Sequence, residues 1–198
     1  RRLFPLRQGR VRELDRMIDG LLECARMGKT QEAQREVATP ELVREIVGQL
    51  ALPTRVAVSV DPNLPTVHGS RERLQQVFQN LLDNALASLD QPQGRLQVSA
   101  ARRTAAWEFR VADNGRGIPP RFLDRVFEPY WRLNRSGDKA GVGLGLTLVK
   151  RIVEDRGGAV WIRSEEGRGT TVHFTWPDEP SDRQRTPSQA GKRAKRPR

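Results

Sequence analysis

The chain has 198 residues, 36% of them hydrophobic and 30% charged, enough apolar material for one core of ordinary domain size with polar extensions left over. No apolar run approaches bilayer-spanning length, no leader with a cleavage site is present, and the lone Cys24 excludes an internal disulfide framework, so a cytoplasmic location is expected. Much of the net charge of +11 lies in Lys192, Arg193, Lys195, Arg196 and Arg198, inside a Ser/Pro/Gln/Gly-rich stretch that can attract anions but offers nothing to read a base; specific nucleic-acid binding is not expected.

In chain order, Val11, Leu14, Ile18, Leu21 or Leu22, and Ala25 recur at spacings of three and four with charged residues between them. This predicts a long amphipathic helix with a narrow apolar seam, suited to pairing with other helices and ended by Gly28. A polar linker leads to Thr39-Pro40-Glu41, where Thr39 is expected to cap and Pro40 to open a short helix through Leu50. Arg55 to Val60 alternates as a strand. Arg71 to Leu89 predicts a strong helix with Leu74, Val77, Phe78, Leu81, Leu82, Ala85 and Leu89 on one face. After a turn at Gln91-Pro92-Gln93-Gly94, Leu96 to Ala101 and Trp107 to Ala112 read as an antiparallel pair. Pro120 to Val126 is a short helix and Leu144 to Glu154 a longer one, broken by Gly157-Gly158. Val160 to Ser164 and Thr170 to Trp176 finish the sheet around a Gly167-Arg168-Gly169 turn. Hairpin-paired strands with helices on one face make an α+β fold, a two-layer α/β sandwich preceded by a long amphipathic helix. Three parts are expected: a helical segment 1–36, a body 37–177 and a disordered basic tail 178–198.

Within the body, the motifs with chemical content are Asn80 and Asn84, four apart on one helix face opposite the leucines; Asp113-Asn114-Gly115-Arg116-Gly117-Ile118; Val126-Phe127-Glu128-Pro129-Tyr130-Trp131-Arg132 with a polar stretch through Ala140; and Gly141-Val142-Gly143-Leu144-Gly145 opening a helix. Paired amide oxygens are hard donors that suit Mg2+. A carboxylate in a glycine turn can accept from an exocyclic amine, and a glycine run at a helix N-terminus can receive phosphates, so one nucleotide could touch both. There is no GxxxxGK[ST], which removes the P-loop, and the polar lid before the second glycine run disfavours a dinucleotide fold.

In order and spacing these segments resemble the nucleotide-binding boxes of the sensor histidine kinase catalytic domain, a member of the GHKL superfamily with gyrase, MutL and heat-shock chaperone ATPases. The resemblance runs from about Thr39 to Pro177, and the preceding helix resembles the second helix of the kinase dimerisation hairpin. It implies a Bergerat-type ATP-binding fold in which Asn84 holds Mg2+ at the phosphates with Asn80 beside it. Asp113 accepts from the adenine amino group, with Gly115, Gly117 and Ile118 letting the backbone pass close to the base. Phe127 anchors one end of a mobile lid in the core, and Arg132, Arg135 or Lys139 meets the phosphates. Gly141, Gly143, Leu144 and Gly145 receive the phosphates, and Thr170 supports the adenine site. The implied partners are ATP, a response regulator receiver domain and a second copy of the chain, paired through the N-terminal helix. Because the chain opens on Arg1, any membrane attachment is expected from upstream segments.

The hydrolysing relatives place a glutamate where this chain has Asn80, and an amide has no useful proton affinity near neutral pH. The phosphoryl group is therefore expected to pass to a positioned acceptor, not to water. Where many of these kinases carry a lysine, the chain has Ala87; and neither His68, read as a loop residue, nor His173, read as a strand-face residue, resembles the acid-flanked helical acceptor. A hydrolysing GHKL ATPase and a degenerate nucleotide-binding scaffold remain the alternatives.

Overall fold

A computed structural model describes residues 33–133 and 143–179. The N-terminal seam helix, Arg135, Lys139, Gly141 and the tail from 180 onward lie outside the described residues.

The first element among the described residues is a strand, β1 (Arg35–Ala38), where the sequence read as a linker. It pairs antiparallel with β3 (Thr66–Gly69), setting Val37 opposite Val67 and Glu36 opposite His68. Only Val37 faces inward, and four residues with one buried apolar side chain carry no detectable alternation. His68 is therefore a strand residue rather than a loop residue. Between these strands, α1 (Thr39–Gln49) starts with proline in its first turn and buries Leu42, Val43 and Ile46. Thr39 does not cap it: the N-cap position is Ala38, and the Thr39 hydroxyl donates instead to the carbonyl of Pro65 at 2.5 Å, tying the helix start to the approach to β3.

The main layer is a five-stranded sheet in the order β2 (Val56–Val60), β4 (Gly94–Arg102), β5 (Ala106–Asp113), β7 (Gly169–Pro177), β6 (Val160–Glu165). The β4–β5 and β6–β7 pairs are the expected hairpins. The β2–β4 pair is parallel, a crossover made through α2 (Arg71–Ser88), and β5 pairs with β7 across the later helices. Hairpins alone therefore do not build this sheet. A fold of this kind is still α+β in two layers, with α1, α2 and α3 (Gly145–Asp155) as the helices.

Packing is concentrated under α2. Leu74, Val77, Phe78, Leu81, Leu82 and Ala85 are buried at three- and four-residue spacing. Phe78 meets Phe109 and Phe174 edge-on, with centroids 5.5 and 5.6 Å apart, while those two strand partners stack at 5.0 Å. Ser70 caps α2, accepting from the Arg73 N–H at 3.1 Å. At the end of α3 the buried Arg156 donates to the His68 carbonyl at 2.7 Å and lies 5.4 Å over the Trp176 ring, pinning the small sheet to the large one. No helix among the described residues is long and apolar enough to cross a membrane.

The opposite sheet face carries a buried carboxylate. Glu108, only 3% exposed, accepts from Arg103 Nε at 2.7 Å, Arg110 Nε at 2.8 Å and His173 Nδ1 at 3.1 Å, and Trp161 stacks on the His173 ring at 5.1 Å. Burial would raise the Glu108 pKa, but the hydrogen bonds from Arg103, Arg110 and His173 outweigh it and lower the pKa to about 2. His173 is thus a structural partner of Glu108.

Candidate nucleotide site

Asn80 and Asn84 project from α2 toward the first turn of α3. A Cβ added to Gly145 would lie 2.8 Å from Asn80 Oδ1 and 3.4 Å from Asn84 Nδ2, so glycine is what lets the helix start approach the asparagine pair. Asn80 uses Nδ2 to donate to the Gln76 carbonyl at 2.8 Å, which leaves Oδ1 as the group turned toward α3. Leu144 occupies the N-cap position, its side chain makes no capping bond, and no acidic residue lies in the first turn. Free amides, the positive end of a helix dipole and an unspent amide oxygen therefore converge at one place. That donor set fits phosphate oxygens and a hard cation such as Mg2+, with Asn84, exposed on the same face, beside it. Among the described residues there is no cluster of three or more His, Cys, Asp or Glu side chains.

The carboxylate turn lies past the C-terminal end of α2. Asp113 closes β5, paired with Leu96 on one side and Thr170 on the other. Its Oδ1 accepts from Ser88 Oγ and from the Gly115 N–H, both at 2.8 Å. Burial raises the Asp113 pKa, and hydrogen bonds from Ser88, Gly115 and the Thr170 backbone, with the charge of Arg116, only partly offset that rise. Such a group is a hydrogen-bonding carboxylate held in a poorly solvated wall.

The sequence reading gave Gly115 and Gly117 the task of clearing space for a base, and the structure assigns them another. A Cβ on Gly115 would fall 2.3 Å from Ser88 Oγ, and one on Gly117, which has φ +66°, would fall 2.0 Å from the Glu165 carbonyl oxygen. What these glycines admit is neighbouring protein. Ile118 enters the site through its N–H, which donates to Ser164 Oγ at 2.8 Å. Ser164 also bonds the Thr170 hydroxyl at 2.8 Å and the Gly169 carbonyl at 2.9 Å, so Thr170 and Ile118 share a hydroxyl bridge that the motifs did not reveal.

Phe127 departs from its expected part. It is half-buried outside the main core, with Lys150 Nζ 5.9 Å from its ring; Val126 is the buried residue, and the Thr147 hydroxyl fastens the segment by donating to the Phe127 carbonyl at 3.0 Å. Tyr130, at φ +62°, donates its N–H to the Gly143 carbonyl at 2.9 Å, so the aromatic segment and the second glycine run meet. Arg132 is half-buried beside Trp131. At the position of the missing lysine, the Ala87 carbonyl accepts from Arg116 Nη2 at 3.5 Å.

Ser88 and Ser164 were missed because each is an unremarkable serine in its own segment. Their only signal is three-dimensional: the end of α2 and the end of β6 both abut the Asp113 turn.

Residues 69–180 match the family model described as "Histidine kinase-, DNA gyrase B-, and HSP90-like ATPase". The adaptive-response sensory kinase SasA of Synechococcus elongatus is 35% identical over 88% of this chain, which spans about half (47%) of that relative's length, and less than a fifth of some other relatives. Among solved structures, a mycobacterial sensor histidine kinase, MprB, superposes with a TM-score of 0.65 at 27% identity over 75% of this chain and 99% of its own. Full-length ShkA in complex with AMPPNP gives a TM-score of 0.68 at 27% identity over 83% of this chain and 35% of its own. With that family-model match over more than half its length, the chain belongs to the histidine kinase-, DNA gyrase B- and HSP90-like ATPase family.

Proposed function

We propose that this chain is the ATP-binding catalytic domain of a sensor histidine kinase, transferring the γ-phosphoryl group of ATP to a histidine on an upstream helix for relay to the receiver domain of a response regulator. The observation that supports the reading is the approach of Gly145 to Asn80 and Asn84, which would be the phosphate end at the start of α3, with the Asp113 turn past the C-terminal end of α2 as the base end. Asp113 accepts from the adenine amino group, backed by Thr170 and Ile118. Gly141, Gly143, Leu144 and Gly145 would receive the phosphates, Arg132 and Lys139 would supply positive charge, and the Phe127 carbonyl, held by the Thr147 hydroxyl, is where the intervening segment is fastened. Asn84 is the residue that would hold Mg2+, which supplies charge neutralisation at the phosphates. Asn80 cannot serve as a base for water, so catalysis rests on positioning and electrostatics at the acceptor. The buried His173 and the strand residue His68 are poor acceptors, which agrees with a phosphoacceptor on another helix. The parts are a helix in residues 1–36 that pairs with its partner and a second copy, a catalytic body in 37–177 and a basic tail in 178–198, and the location is cytoplasmic.

The test is incubation with γ-labelled ATP and Mg2+, alone and with a separate polypeptide carrying the upstream helix. Acid-labile, base-stable label on that polypeptide supports the reading. Rapid phosphate release without it would instead mark a hydrolysing ATPase, and absence of ATP binding a scaffold.

A further inference from the structure

We infer that Ser88 is a positioning residue for base selection: its hydroxyl, 2.8 Å from Asp113 Oδ1, fixes which carboxylate oxygen is presented to the ligand. This deepens the reading of Asp113 as the adenine acceptor and rests on it.

Ser88 is the last residue of α2, and its hydroxyl has two acceptors at 2.8 Å, Asp113 Oδ1 and the Ala85 carbonyl. One proton cannot serve both fully, and an ionised carboxylate is the stronger acceptor. With the Gly115 N–H also on Oδ1 at 2.8 Å, that oxygen is committed within the protein, and Oδ2, which takes neither of these two bonds, is the oxygen on which a ligand donor would act. The turn has no room to re-seat itself. The Arg116 N–H donates to the Ser88 carbonyl at 3.1 Å, and a Cβ on Gly115 would fall 2.3 Å from Ser88 Oγ.

The same contact acts on the proton. Asp113 sits where burial favours its neutral form, and the Ser88 hydroxyl is the first among the groups that oppose this; Gly115 and Thr170 on β7 add uncharged donors, and Arg116 from the same turn adds a charge. An ionised Asp113 can only accept, which suits the amino group of adenine. A protonated Asp113 can donate, which suits the carbonyl that inosine and guanine carry at the same edge. Loss of the Ser88 hydroxyl therefore frees the carboxylate to turn and makes it easier to protonate, and both changes erode the preference for adenine.

The experiment compares the whole chain with Ser88→Ala, Ser88→Cys and Ser88→Thr by calorimetric titration with ATP and with inosine triphosphate across an acidic pH series. Ser88→Ala is expected to lose about tenfold in ATP affinity, the scale of one hydrogen bond to a charged group, and distinctly less for inosine triphosphate. The acid limb of its ATP affinity is expected to move to higher pH, because the Ser88 hydroxyl no longer opposes protonation of Asp113. Ser88→Cys, close in size but a weak donor, should follow Ser88→Ala, and Ser88→Thr should restore both selectivity and pH limb. Equal losses for both nucleotides, with an unmoved acid limb and unfolding midpoints that fall in step, would reduce Ser88 to a helix-end residue and overturn the inference while leaving the kinase reading intact. A wild-type chain that binds neither nucleotide would overturn both.

Discussion

Replacing Asp113 with asparagine removes a charge without changing shape, and the local bonding dictates how the new amide must sit. Ser88 Oγ and the Gly115 N–H both donate to Oδ1 at 2.8 Å, so the amide oxygen takes that place and the amide nitrogen is turned to the ligand side. Two N–H groups then face each other where adenine needs an acceptor. A lost hydrogen bond with an unpaired buried donor costs about 1 to 3 kcal/mol, or roughly 5- to 150-fold in Kd. Stability should not follow: burial raises the Asp113 pKa, meaning that the ionised carboxylate costs the fold free energy at neutral pH, and the amide carries no such penalty. Calorimetric titration of Asp113→Asn with ATP, alongside thermal unfolding, separates the effects. The expected outcome is weakened ATP binding with an unfolding midpoint equal to or above that of the wild type. Unchanged ATP affinity in the folded variant would show that Asp113 does not touch the base.

Three further substitutions probe the other surfaces. Asn84→Ala should reduce nucleotide binding in Mg2+ far more than in chelator, measured by titration under both conditions; equal losses would mean that Asn84 is not a metal ligand. Gly145→Ala places a Cβ 2.8 Å from Asn80 Oδ1, so ATP affinity should fall although alanine gains about 1 kcal/mol of helix propensity over glycine; unaltered affinity would separate that approach from phosphate binding. Glu108→Gln tests the opposite sheet face. The folded-state pKa is about 2 against an ordinary 4.5, so the unfolded chain binds more protons between those values. The carboxylate's stabilisation is complete above the upper value and is lost as pH falls through the lower one. With Arg103 and Arg110 partly exposed and solvent-screened, about 1 to 3 kcal/mol is expected at neutral pH from chemical denaturation, closing toward zero at strong acid. A gap that stays constant with pH would assign the loss to packing.

Much of the fold was legible because its long elements carry complete periods. The face of α2 from Leu74 to Ala85 and the hairpins β4–β5 and β6–β7 follow from spacing that no tertiary contact had to override. The parallel β2–β4 pairing was not legible, since Val56 to Val60 alternates in the same way whichever direction its neighbour runs. Neither was the β1–β3 ribbon, whose inward residues Val37 and Val67 are fixed by what lies beneath them rather than by local pattern. Thr39 is the instructive miss. A threonine before Pro-Glu reads as a cap, yet its hydroxyl finds a stronger local claim in the Pro65 carbonyl, 26 residues away.

The site divides along the same line. Its motif residues were visible because four segments resemble the boxes of one family in order and spacing, where any one alone reads as an ordinary turn or helix face, but what they touch was not. Gly115, Gly117 and Gly145 drew the eye to the candidate site, and each omits its Cβ in favour of protein: Ser88 Oγ, the Glu165 carbonyl and Asn80 Oδ1. The glycines let three chain segments close to contact distance, and that closure brings the polar groups into position. Ser88 and Ser164 then hold Asp113, Ile118 and Thr170 through single hydroxyls. Substituting the glycines should accordingly damage the assembly of the site before it obstructs a ligand, whereas substituting the serines should leave the assembly standing and change only what it recognises.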